Sequence, residues 1–138
     1  MSARGLSRAR RGAESIEAAV TLPIVLLVIF SGLEYAWALV RTVQLDQVAK
    51  VGARHAALDG STAGDVQSRV TSALDSLGIS GAQVTIDPAQ PEAAAPGTAI
   101  SVRVEVEYSS VGLLGLHRLM PLPTSLRGQA SMLREPQD

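Results

Sequence analysis

AAVTLPIVLLVIFSGLEYAWALVRTVQLDQVAKVGARHAAL, residues 18 to 58, is the stretch on which the fold turns. From Ala18 to Leu33 there are 16 residues without a charge, about 24 Å of α-helix at the usual rise and short of the roughly 30 Å hydrocarbon core of a bilayer. Carried on to Val40, the apolar run reaches about 34 Å and takes in Glu34 near its far end. A membrane span over residues 13–40 therefore puts Glu34, Tyr35 and Trp37 at the outer interface, where a carboxylate meets water and amphipathic rings are at home. Pro23 removes one helix hydrogen bond two turns in, a defect that membrane helices tolerate. Beyond Val40 nothing breaks the helix until Asp59-Gly60. Leu45, Val48, Ala49, Gly52, Ala53 and Ala56 recur there at helical spacing and form a stripe of small residues that another backbone can approach. Asp46 and Lys50 form an i,i+4 pair on the opposite side.

The rest of the chain predicts a small module packed on that stripe. Thr62 and Asp65 have capping-box spacing, Val66, Val70, Leu74 and Leu77 make one apolar face, and Gly78 is a stop signal, which together predict a second helix over 64–77. A short strand follows at Gln83–Asp87, then a loop with three prolines, PAQPEAAAPG, that is read as neither helix nor central strand. In Ala99–Tyr108, Ile100, Val102, Val104, Val106 and Tyr108 alternate with Ser101, Arg103, Glu105 and Glu107, the period-2 pattern of a strand with one buried face. Leu126–Arg134 is the closing strand. The apolar but interrupted VGLLGLHRLMPLP, residues 111–123, is too short to cross a bilayer; it suits core filling, a membrane surface or a subunit contact. The predicted class is α+β: a long N-terminal transmembrane and extended helix, then a small domain with a second helix and an antiparallel sheet of about three strands.

Composition narrows the function. All four basic residues of the first 12 positions are arginines (Arg4, Arg8, Arg10, Arg11) with no acid among them, which leaves eight basic and 13 acidic residues in 13–138, a net charge of about −5. A basic head directly before an apolar run is an orientation signal, with the N-terminus cytoplasmic and residues 41–138 outside. With the remainder acidic and aromatics scarce, nucleic-acid binding is not expected. There is no cysteine, so neither disulfides nor thiolate metal sites contribute. His55 and His117 lie in different elements without partner motifs, none of the common nucleophile, metalloprotease or phosphate-loop patterns occurs, and DGSTAGD at 59–65 lacks calcium-loop spacing. No enzyme activity, cofactor or small-molecule substrate is expected.

Three readings of the N-terminus compete. One is a plain uncleaved signal anchor. Another is a cleavable secretory signal peptide ending at Ala36-Trp37-Ala38, to which Glu17, Glu34 and the length of the apolar run are poorly suited. The third rests on Arg10-Arg11-Gly12, the four residues Ala13 to Ile16, Glu17 and the apolar run after it. This arrangement resembles the type III signal of type IV pilin-like proteins, which a prepilin peptidase cuts after glycine. With Leu22-Pro23, Gly32 with Glu34-Tyr35, and Gly52-Ala53-Arg54-His55-Ala56, it resembles the TadE-like pseudopilins of the tight-adherence (Flp) pilus. The resemblance implies a leader over 1–12, cleavage between Gly12 and Ala13, a span over 13–40 in the inner membrane, and an extracytoplasmic domain over 41–138. It implies as partners the prepilin peptidase, other pilin-like subunits and the pilus assembly machinery. It assigns to Glu17 the pairing of subunits. Ala18 departs from the pattern, since pilin-type proteins of this system often have an aromatic there. Outside this resemblance stands an uncleaved or secreted extracytoplasmic binding domain.

Overall fold

The computed structural model describes residues 3–116 and 120–135, with side chains described from Glu14 onward. Its order is α1 (Ala3–Ala57), α2 (Ala63–Ser76), β1 (Gln83–Asp87), β2 (Ala99–Glu107), α3 (Tyr108–Val111) and β3 (Ser125–Leu133). The three strands form one antiparallel sheet in the order β1-β2-β3. The fold is α+β: one long apolar helix, a second helix and the sheet.

The length of α1 follows from its composition. Ala, Leu, Val, Ile and charged residues with straight side chains fill it, and Pro23 is the only proline in its 55 residues. It ends where the Leu58 N–H reaches the carbonyl of His55 and Gly60 takes φ +75°. α2 has the cap its sequence announces: the Asp65 N–H donates to Thr62 Oγ1 at 3.2 Å while the Thr62 N–H donates to Asp65 Oδ2 at 3.1 Å. The bonds that Thr62 donates hold the exposed Asp65 carboxyl below the usual carboxylate range. The other end of α2 closes with Gly78 in the left-handed region, the Gly78 N–H on the Asp75 carbonyl and the Ile79 N–H on the Leu74 carbonyl, the Schellman pattern.

Burial alternates along β2 as expected for a sheet covered on one face. Ile100, Val102, Val104 and Val106 are buried, as are Leu45, Val48, Ala49, Ala53 and Ala56 of α1 and Val66, Val70 and Leu74 of α2. The core is thus the apolar face of the sheet against the small-residue stripe, with α2 filling the side. Two glycines set the spacing. A Cβ at Gly52 would lie 2.6 Å from Val70 Cγ2 and 3.1 Å from Val102 Cγ1. A Cβ at Gly128 would overlap the backbone of α1 at Leu45 and Asp46. Strand β3 therefore runs in backbone contact with α1, and the Gln129 N–H donates to Asp46 Oδ1 at 3.1 Å. Asp46 thus faces the sheet, a correction to its reading as part of a solvent pair with Lys50. Its carboxylate is drawn inward because a neighbouring strand offers it a backbone donor.

Two local expectations also change. The proline-containing loop includes one 3₁₀ turn, Pro91–Ala93, with its proline at the start, where a missing N–H does no harm. Tyr108 does not continue β2 but opens α3, its ring keeping the inward direction set by the strand.

Candidate functional site

The long helix has two parts with different surroundings. From Glu14 through Phe30 every residue is exposed, and through Leu33 only Ser31 is partly covered. Ile16, Val20, Leu22, Ile24, Val28 and Phe30 are among the large side chains left bare. By length and composition this is a helix able to cross a membrane. Glu17 sits on this part, exposed, about one helical turn after Ala13. Gly12 and Ala13 belong to α1, but their side-chain surroundings lie outside the described residues, as does His117.

At Glu34 the surroundings change abruptly. This carboxylate is completely buried. Its Oε1 accepts a hydrogen bond from the Tyr108 hydroxyl at 2.8 Å, and its Oε2 accepts one from the Leu114 N–H at 2.8 Å. One turn on, the Trp37 Nε1–H donates to the Val111 carbonyl at 2.8 Å, and the Tyr35 hydroxyl donates to the Pro121 carbonyl at 2.6 Å. The Arg41 guanidinium lies 4.8 Å from the Trp37 ring centroid and donates to Gln44 and to the Leu77 carbonyl at the end of α2. This part of α1 thus forms a collar: Glu34, Tyr35, Trp37 and Arg41 hold the connection between β2 and β3, and the end of α2, to the side of the helix.

The electrostatics of the collar centre on Tyr108. Its hydroxyl is buried beside a carboxylate it serves as donor, so deprotonation would create a phenolate that water cannot hydrate, break that bond and place two anions together. Burial first, then the Glu34 bond and charge, push its pKa up to about 12. The opposite end of the module has its own clamp. Arg134 is buried, donates to the Pro91 carbonyl and reaches Asp59 Oδ1 at 3.3 Å, while the Glu135 N–H donates to the Ala57 carbonyl at 3.0 Å.

Of the site residues read from sequence, the structure brings Glu34, Tyr35 and Trp37 together with the 108–121 connection and leaves Glu17 on the bare helix, far from them along α1. The reading missed Tyr108 and Leu114 as partners of Glu34, and missed Arg134. For Tyr108 a signal existed: it is the last inward residue of the alternating β2 pattern and carries a hydroxyl, which a buried site must satisfy. For the Leu114 N–H no residue-type signal exists. An open cleft beside the collar is lined by Ser80, Gly81, Glu107, Ser109 and Thr124, among others. Among the described residues no group of three or more His, Cys, Asp or Glu could hold a metal.

Residues 12–54 match the family model described as TadE-like protein. Over these residues the chain is TadE-like. The TadE-like segment opens at Gly12, contains the whole bare helix and the collar residues Glu34, Tyr35, Trp37 and Arg41, and closes within the buried stripe. α2 and the sheet lie outside it. No curated protein and no solved structure gives a significant match.

Proposed function

We propose that the chain is a non-enzymatic minor pilin, or pseudopilin, of a tight-adherence (Flp-type) pilus or secretion machine. The observation that carries this reading is the coincidence of the TadE-like match with a helix exposed over residues 14–33 except at the partly covered Ser31. A helix apolar all round requires lipid or other helices around it. As a monomer it is held in the inner membrane, N-terminus in the cytoplasm and module outside; in an assembly, neighbouring helices replace the lipid. Glu14 to Leu33 is 20 residues, about 30 Å, which matches the hydrocarbon core without calling on residues 34–40. On this reading residues 14–33 fill the hydrocarbon core within the 13–40 span expected from hydropathy, and contacts with the module begin at Glu34.

Glu17 then lies about one turn inside the membrane, where an isolated carboxylate is expensive. Cleavage after Gly12 by a prepilin peptidase frees the amine of Ala13, a cation about one turn nearer the cytoplasmic edge, within reach of Glu17 in a neighbour shifted by that turn. Paired with the amine of a neighbouring subunit, Glu17 is neutralised and the axial register of the two helices is fixed. N-terminal sequencing of the protein from cells tests the cut: a start at Ala13 is expected. A start at Leu39 means signal-peptidase processing, and retained arginines mean a plain anchor; either result removes the pilin reading. Glu17→Ala is expected to insert normally and to lose co-purification with partner subunits, whereas unchanged co-purification eliminates the pairing role.

A further inference from the structure

We infer that the base of the module, at Leu113 and Leu114, is a second membrane contact that sits in the outer leaflet where α1 leaves the bilayer. The inference rests on the reading of residues 14–33 as the span. Three observations support it. The first is direction: β3 runs alongside α1 from the level of Leu45 at Gly128 to the level of Ala57 at Glu135. The connection between β2 and β3 therefore lies at the end of the module that faces the bare helix.

The second is height. The Leu114 N–H is bonded to Glu34, the first buried residue of the helix and the one that directly follows the exposed run 14–33. If residues 14–33 fill the hydrocarbon core, Leu114 stands at its upper boundary. The third is the character and fixity of the surface. Leu113 and Leu114 are 49% and 46% exposed although the neighbouring Val111 is buried in the core. They are not loosely placed, because bonds from Trp37 and Tyr35 to the carbonyls of Val111 and Pro121 flank the one from Leu114 to Glu34. Two leucines held rigidly at the level of the headgroup and acyl boundary continue the apolar surface of the span sideways. An isolated helix is free to rotate about its axis in a bilayer; a lateral foot of this kind fixes its rotation and tilt. The module would then present one face to arriving subunits.

The absence of native cysteine makes the test direct. Single cysteines replace Leu114, Val25 and Leu58, which are 46%, 46% and 45% exposed, so protein burial is equal and only the surroundings differ. Each full-length variant carries a polarity-sensitive fluorophore in nanodiscs of phosphatidylcholine and phosphatidylglycerol at one copy per disc. Val25 should respond to nitroxide placed deep in the acyl chains, and Leu58 only to aqueous iodide. Leu114 should respond to nitroxide at the headgroup, with iodide quenching several-fold weaker than at Leu58. Leu113→Cys should repeat the Leu114 result. Leu114 quenched like Leu58 while Val25 stays in lipid overturns the inference and leaves the span intact. Val25 open to iodide overturns the span and the inference with it. Protection of Leu114 that arises only in discs holding several copies marks a subunit contact and likewise overturns it.

Discussion

The two parts of α1 are one unbroken helix with opposite surroundings. Residues 14–33 carry large aliphatic side chains around the whole circumference and are exposed apart from the partly covered Ser31; residues 34–57 bury one stripe, Leu45, Val48, Ala49, Ala53 and Ala56, against the sheet, while Leu39, Val40 and Val43 stay exposed. Apolar character alone does not separate these situations, because Ala49, Ala53 and Ala56 are the same residue type as Ala18 and Ala19. Side-chain size and its distribution do. A surface of Leu, Ile and Val on every side suits a fluid or adaptable environment, whereas a stripe of Ala and Gly admits a strand in backbone contact. Between the two stands Glu34, the first buried residue of the helix, where α1 begins to organise the rest of the chain.

The contrast breaks most completely at Gly128. Gly128→Val places carbons where the α1 backbone already lies, and neither side can yield without separating β3 from the helix. Overpacking ordinarily destabilises by about 1–3 kcal/mol; against backbone the loss should exceed that. Full-length protein in lipid should lose amide-exchange protection in β2 and β3 while the helical signal of residues 14–33 persists. Protection at wild-type levels would mean that the close approach is not required.

Glu34→Ala should have a smaller and more local effect. It leaves the Leu114 N–H without its acceptor and the Tyr108 hydroxyl with only the Glu34 backbone carbonyl at 3.3 Å, a penalty of about 1–3 kcal/mol. Loss of helix contacts at the 111–121 connection ahead of the strands, seen as early amide exchange at Leu114, is the expected signature. Uniform destabilisation of the whole module would argue that Glu34 has no local role as a clamp.

A smaller effect should appear with alkali. Tyr108 has a folded pKa of about 12 against 10.0 for the free side chain, so the folded state holds its proton more tightly than the unfolded state. Stability from this source is complete below pH 10 and falls as pH rises from 10 through 12, on the order of 1 kcal/mol by pH 11. Tyr108→Phe should flatten that slope. An equal slope in the variant would assign the alkaline loss to other groups.

Much of this arrangement was legible in the residues. The stripe from Leu45 to Ala56, the Thr62–Asp65 cap with its Gly78 stop, and the alternation from Ile100 to Val106 are local patterns, each carried by neighbours three, four or two positions apart. The collar was not, because its bonds join residues 74 to 86 positions apart, and two of the acceptors are backbone carbonyls that every residue type possesses. Glu34, Tyr35 and Trp37 could be singled out as polar tips on an apolar helix, but hydropathy alone assigns such tips to a membrane surface before a protein one. Arg134 and Asp46 illustrate the same limit: an arginine at a strand end and a helical aspartate read as solvated until the loop and strand that accept them are in place.

The smallest expected effect is also the one that defines the comparison. Leu26→Ala removes a large side chain from the bare part, and Leu45→Ala removes the same atoms from the packed part, where Leu45 is fully buried. Truncation at Leu45 should destabilise the module by about 2–5 kcal/mol, whereas truncation at Leu26, which touches no element of the module, should fall within about 0.5 kcal/mol of zero. Thermal melts of both full-length variants in lipid, followed by near-ultraviolet dichroism of Trp37, separate the two directly. A bare helix whose side chains contribute nothing to its own module is kept apolar for something outside the chain, so a measurable loss at Leu26 would show that residues 14–33 pack on the module after all and would remove the reason to place them in a membrane or among other helices.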